Sequence, residues 1–194
     1  MFLRSLQSEE PELIIRGQGV DLRSPCVADY EQWTDLRSRS RDFLQKWEPA
    51  WPADDLGRAA FRRRLRLYAG DRRLGQSYSF LLFTGGTDEL LGGLTLSNVR
   101  RGAAQCTTLG YWMGEPHHGR GHMTAGVRTV LPFAHGVLGL HRVEAACLPT
   151  NAASIRLLEK TGFQREGYAR QYLSINAHWE DHLLFAHLKD DAIG

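Results

Sequence analysis

The chain has 194 residues, 42% hydrophobic and 24% charged, the length and balance of one ordinary globular domain with a sizeable core. A formal net charge of +2 argues against nucleic-acid binding by the whole molecule, and no run approaches the roughly 18 apolar residues of a membrane span. The opening Met1-Phe2-Leu3-Arg4-Ser5-Leu6 turns acidic too soon for a secretion signal, and Cys26, Cys106 and Cys147 have the spacing of neither a disulfide frame nor a zinc site, so a cytoplasmic protein with core thiols and no membrane partner is expected.

In chain order, residues 1–17 read as a loosely ordered segment of a single domain spanning 1–194, and Val20-Asp21-Leu22-Arg23 as a short strand. Ser24 and Pro25 suit the N-cap and first turn of a helix that runs through Tyr30, Trp33 and Leu36 and ends near Arg37 to Arg41. Residues 43–52 carry Phe43, Trp47 and Trp51 with Pro49 and Pro52, which suits a shaped loop better than a helix interior. Asp54 and Asp55 then open a second helix, with Phe61, Leu65 and Tyr68 at helical spacing. That helix bears Arg58, Arg62, Arg63, Arg64 and Arg66, followed by Arg72 and Arg73, which reads either as a solvated outer face or as a dock for RNA or another polyanion. Residues 77–83, 90–99 and 103–113 follow as an antiparallel meander, with turns at 85–88 and 100–102.

The stretch Gly110 to Thr124 follows, in the order strand, glycine loop, helix. Gly119 and Gly121 let the backbone turn tightly and present successive N–H groups at a helix N-terminus, a way of holding a pyrophosphate. No Lys follows the glycines, as a Walker loop requires, and Thr124 stands where the dinucleotide fingerprint has its third Gly. Pro132 should kink or stop the helix by crowding the carbonyl of Arg128. Residues 141–147 alternate as a strand, Asn151 to Gly162 has the cap, body and terminal glycine of a helix, and residues 163–169, 171–175 and 179–188 read as strands. The coarse order βααβββαβαββ predicts a mixed, mostly antiparallel α/β (α+β) sheet flanked by helices.

His118-Gly119-Arg120-Gly121-His122-Met123 resembles the coenzyme A pyrophosphate loop of the GNAT acyltransferase superfamily, with His118 at the usual Gln or Arg and Met123 at the usual small residue. The run Asn151-x-x-Ser154-x-x-Leu157-Leu158-x-Lys160-x-Gly162-Phe163-x-x-Glu166-Gly167 resembles a second coenzyme A segment of the family's ribosomal-protein N-acetyltransferase branch. Arg41-Asp42-Phe43-Leu44-x-x-Trp47-Glu48-Pro49, Leu96-Ser97-Asn98-Val99, Gly110-Tyr111-Trp112, His141-Arg142-Val143, Tyr168-Ala169-Arg170-x-Tyr172-Leu173 and Trp179-Glu180-Asp181-His182 are similar to its RimJ/RimL-type alanine acetyltransferases.

The resemblance implies an acetyl-CoA-dependent N-acetyltransferase acting by direct attack in a ternary complex. It implies coenzyme binding by Tyr111, Trp112, Met113, His118, Gly119, Arg120, Gly121, His122, Met123, Thr124, Asn151 and Ser154. Ser154 would protonate the departing thiolate, while a backbone N–H near Trp112 or Met113 would polarise the thioester. Glu48 is the expected base, its aromatic neighbours raising its pKa toward neutrality, with a water on Asn98, Asp181 and Tyr172 as alternatives. Gln171 or Leu173 stands where some relatives carry an acid. Trp47, Glu48, Asn98 and Tyr172 would line the acceptor side. No metal is implied by His117, His118 and His122, which more simply border phosphate. The acceptor would be a protein N-terminus, with a ribosomal protein bearing N-terminal Ala first, or else a small amine such as a polyamine, amino sugar or antibiotic. A non-catalytic coenzyme A or ribosome-binding module stays open. Partners would include the ribosome through Arg58 to Arg73, for a chain acting as monomer or homodimer.

Overall fold

The computed structural model describes residues 13–194. Its centre is one eight-stranded sheet in the order β1-β2-β3-β4-β5-β6-β8-β7, antiparallel throughout except where β5 meets β6. The strands are β1 (Ile14–Arg16), β2 (Val20–Arg23), β3 (Tyr78–Thr84), β4 (Leu90–Arg100), β5 (Cys106–Met113), β6 (Arg142–Cys147), β7 (Gln164–Ile175) and β8 (His178–Leu188). Helices α1 (Tyr30–Arg39), α2 (Arg41–Leu44), α3 (Arg58–Arg73), α4 (His122–Pro132) and α5 (Ala152–Lys160) cover it.

Side-chain alternation explains the layering. On β3, Phe80 and Leu82 join the cluster that includes Val127, Val130 and Leu131 of α4, and Leu158 of α5. Leu81 and Phe83 point the other way, to Trp33 and Leu36 of α1 and Phe61 and Leu65 of α3. A strand buried on both faces reads as an unbroken apolar run, which is what residues 80–83 are.

The sheet and its flanking helices follow the sequence expectation, with local departures. The expected loose segment lies outside the described residues for 1–12, but Ile14–Arg16 pairs with β2 as a further strand. Ser24 does not cap a helix, because its hydroxyl accepts from Leu13 N (3.1 Å) and its own N–H donates to Leu13 O (2.8 Å), tying β1 in place. The helix instead starts after a 3-10 turn at Val27–Asp29, where Asp29 accepts from Cys26 N at 2.8 Å. Asp54 and Asp55 likewise precede α3, whose N-cap is Gly57, and serve as ion partners for Arg63 and Arg64. The loop at 43–52 begins inside the short helix α2.

At Pro132 the α-helix ends and the chain continues as a π-turn, Phe133–Val137, closed by Leu138 N donating to Phe133 O at 2.9 Å. The missing proline N–H and its ring's clash with the Arg128 carbonyl account for the change of pitch. The two strands expected at 163–175 are one strand, β7, with a register irregularity between Ala169 and Leu173 and a left-handed Gln171 (φ 47°).

Candidate active site

The site begins where β5 and β6 part. Their parallel register covers only Cys106–Thr108 against Arg142–Glu144, while β5 runs on to Met113 beside β4. Gly114 donates to Leu91 O at 2.8 Å, so strand alternation turns the N–H groups of Met113 and Tyr111 to the opposite edge, the one β6 has left. A cleft of about 610 Å³ opens there.

Its first wall is the glycine loop. Gly119 and Gly121 have φ of 76° and 84°, in the left-handed region that disfavours any side chain. A Cβ on either would meet nothing within 4 Å, so the demand for glycine is conformational here and not steric. Gly121 caps α4 without any side-chain hydrogen bond, leaving the first N–H groups of an 11-residue helix for an outside acceptor. His117, His118, His122, Met123 and Thr124 also line the cleft, and the Met123 side chain anchors the loop in the core. His118 stacks edge-on against Phe43, centroids 5.1 Å apart. Arg120 is exposed on the loop and outside the lining. Burial pushes the His117 imidazole below its usual value, against the weaker opposing pull of Glu89. Among the described residues no three His, Cys, Asp or Glu side chains are grouped to hold a metal.

The second wall is the start of α5. Asn151 spends its Oδ1 on Ser154 N (3.0 Å), an N-cap that sets the helix where it lines the cleft. Ser154 is 8% exposed, and its Oγ lies 2.6 Å from the hydroxyl of Tyr111. Burial lifts the Tyr111 phenol far above its usual value, which keeps it protonated, and also raises the Cys147 thiol, whose contact with Ser154 opposes the shift. Arg156 and Lys160 complete this wall. From the sequence Lys160 enters only as a member of the second coenzyme A segment and Arg156 is given no role, although their spacing along the helix that Asn151 caps was the available signal.

The third wall is the 43–51 loop. Trp47 and Glu48 line the cleft. Glu48 does not stand among aromatic rings alone: Arg37 donates to its two oxygens at 3.3 and 2.6 Å, and Trp51 Nε1 donates at 2.8 Å. The setting is therefore an ion pair beside an indole N–H, and not only the flanking aromatics read from the sequence.

Three other expected residues are elsewhere. Asn98 is exposed at the β4 irregularity between Ser97 and Arg100, at the far end of the strand from Gly92 and Met113, where a left-handed residue (φ 52°) is needed. Tyr172 is half exposed on β7 against His182 and does not line the cleft. Asp181 accepts from Tyr168 OH and from Gln171 N (2.8 Å), which hold its carboxyl below the usual range and fix the β7 irregularity. Three arginines of α3 are held in ion pairs, Arg58 on Glu31, Arg63 on Asp54 (2.7 Å) and Arg64 on Asp55.

A cleft between splayed parallel strands, closed by a capless helix N-terminus, is the architecture of an acyl-coenzyme A transferase. Residues 20–164 match the family described as "Acetyltransferase (GNAT) domain". The probable N-acetyltransferase YjcK of Bacillus subtilis is 36% identical over 178 residues, 92% of this chain and 98% of that protein. The [ribosomal protein uS5]-alanine N-acetyltransferase of Escherichia coli is 32% identical over 162 residues, 82% and 84% of the two chains. Among solved structures, Mycobacterium smegmatis RimJ in complex with CoA-disulfide superposes with a TM-score of 0.84 at 29% identity, covering 93% and 88%. The chain belongs to the GNAT acetyltransferase family and is an acetyl-CoA-dependent N-acetyltransferase. No helix among the described residues is long and apolar enough to cross a membrane.

Proposed function

We propose that this enzyme acetylates the N-terminal α-amine of a protein in the cytoplasm, a ribosomal protein with N-terminal Ala being the first case to test. The observation that carries the reading is the juxtaposition in one cleft of the Tyr111–Ser154 hydroxyl pair with a carboxylate, Glu48, on the facing loop. Nearly full-length similarity to an enzyme acting on ribosomal protein uS5 alanine supports the choice of acceptor.

Acyl transfer to an amine needs a neutral nucleophile, a polarised carbonyl and a proton for the leaving group. An α-amine has a pKa near ~8, so part of it is neutral at cell pH, whereas a lysine near ~10.4 would need a stronger device. In the proposed roles, the N–H groups at the start of α4 and around Gly119 and Gly121 hold the coenzyme's pyrophosphate, with Arg156 and Lys160 as cations on the facing helix. The Met113 N–H, turned to the open edge, polarises the thioester carbonyl. Glu48 is the only carboxylate among the lining residues and takes up the amine's proton, directly or through water. Ser154 gives its proton to the thiolate and is reprotonated from solvent through the hydroxyl of Tyr111, which burial keeps protonated, while Glu48 returns the amine's proton to solvent. Trp47 packs against the acceptor. Ribosome docking through α3 would fall to Arg62, Arg66 and Arg73, since Arg58, Arg63 and Arg64 are already paired.

Free-thiol release and mass spectrometry with acetyl-CoA test the reading. Turnover of an Ala-terminated peptide, with the acetyl group on its α-nitrogen, is the expected result. Turnover of a polyamine or amino sugar but not of the peptide would replace it with the small-amine reading, and no turnover of either would leave a binding module.

A further inference from the structure

Arg37 is an internal cation of an unusual kind: 8% exposed, on the last turn of α1, and surrounded by indole rings. Its guanidinium carbon is 4.3 Å from the ring centroid of Trp51, 4.9 Å from Trp112 and 5.8 Å from Trp33. Burying a charge in this way is costly unless a counter-charge and hydrogen bonds answer it. Glu48 supplies both through its two oxygens, yet Arg37 Nε is left buried without a partner. A salt bridge kept only for stability would be better replaced by apolar side chains among three tryptophans, so the pair points to a demand on Glu48 itself.

The main chain of Glu48 is held as well. Asn176 N donates to Glu48 O at 3.0 Å, from the β7–β8 turn in which Asn176 and Ala177 both take left-handed φ (44° and 68°). Glu48 is thus gripped by its carboxylate from α1 and by its carbonyl from the far end of the sheet, in a loop that otherwise has few regular bonds. Trp112 links the cage to the reaction centre, because it stands on β5 between Tyr111 and Met113 and lines the cleft.

We infer that Arg37 is a positioning residue for the acceptor half-reaction: caged by Trp33, Trp51 and Trp112, it fixes the orientation of Glu48 toward the incoming amine and does not touch the substrates. The inference rests on the reading of Glu48 given above. A rigid planar fork suits this role, since it fixes two carboxylate oxygens at once, and Lys at the same place would supply the charge without the orientation.

The test uses the full-length enzyme with acetyl-CoA and an Ala-terminated peptide, comparing Arg37→Met, Arg37→Lys, Glu48→Gln and the Arg37→Met/Glu48→Gln double variant. Arg37→Met should lower kcat for peptide acetylation about 10- to 100-fold, with KM for acetyl-CoA and the peptide-independent hydrolysis of acetyl-CoA within about twofold of the parent. Arg37→Lys should recover part of the loss. The double variant should be about as slow as Glu48→Gln alone, since Arg37 acts through Glu48. Losses that multiply in the double variant, or that fall equally on acetyl-CoA hydrolysis and melting temperature, would overturn the inference and make Arg37 a stability residue. If Glu48→Gln turns over at the parental rate, the assignment of Glu48 itself falls, a separate result. Should Arg37→Met fail to fold, Arg37→Lys against Glu48→Gln carries the same kcat comparison.

Discussion

The two sides of the cleft are built by different means. The proposed donor side, β5 through the glycine loop into α4, is contiguous in sequence and offers main-chain atoms: left-handed glycines, a helix end without a side-chain cap and N–H groups freed by the parting of β6. The proposed acceptor side is assembled from side chains of α1, the 43–51 loop and β5, and is steadied by the β7–β8 turn. Backbone sites tolerate changes of side chain but not of dihedral angle, whereas side-chain sites respond to single truncations.

The reaction centre between them should give the largest effect. Ser154→Ala is expected to lower kcat roughly 10- to 1000-fold with little change in coenzyme affinity, and Tyr111→Phe, which removes the hydroxyl hydrogen-bonded to Ser154 Oγ, should follow in the same direction. Steady-state thiol release together with calorimetry checks both, and an unaltered kcat in Ser154→Ala would return that serine to a plain helix position.

On the donor side, Gly121→Val forces a β-branched residue to φ 84°, so acetyl-CoA binding should weaken by on the order of 2–4 kcal/mol through strain and lost charge-assisted bonds. Arg120→Ala in the same loop should do much less, since that side chain lies outside the lining. Equal losses from the two substitutions, measured by calorimetry, would erase the backbone-versus-side-chain distinction. On the acceptor side, Trp47→Ala should raise the peptide KM by about 1–2 kcal/mol while leaving acetyl-CoA affinity alone.

The smallest effect should come from outside both walls. His187 is fully buried with its Nδ1 3.1 Å from His135 Nε2, and burial, then the neighbouring histidine, pushes its pKa below the ordinary value. The unfolded chain therefore binds the proton more tightly, so the stability from this site is complete above about pH 6.5 and is lost as pH falls below it. Melting temperatures between pH 7 and 5 should decline less steeply in His187→Asn than in the parent, while activity at pH 7 changes little.

The contrast between the two sides also explains what could be read from the amino acids alone. Gly119, Gly121 and Asn151 carry their proposed roles in local spacing, and the strands of the meander follow from apolar runs bounded by turn residues. Glu48 could be picked out for its place in a Trp-Glu-Pro loop. Its partner Arg37 could not, because an arginine at the end of a helix looks like a solvated charge until three indole rings fold over it. Asn98, Tyr172 and Asp181 drew attention as motif members, and they serve the sheet: Asn98 and Asp181 sit at irregularities where a left-handed residue or a backbone N–H needs accommodation. Ser24, Asp54 and Asp55 matched cap patterns, but tertiary partners outbid the local ones.

The hydrogen bond from Asn176 to Glu48 has a consequence for synthesis. The glycine loop, α4 and the strand before it lie together in the middle of the chain and can find their shape from near neighbours, and the carboxylate of Glu48 has near neighbours in Arg37 and Trp51, whereas its carbonyl is fastened once β7 and β8 have paired. Contacts of such long sequence separation are slow to close. A nascent chain would thus form its glycine loop before the bond from Asn176 completes the hold on the loop that bears Glu48.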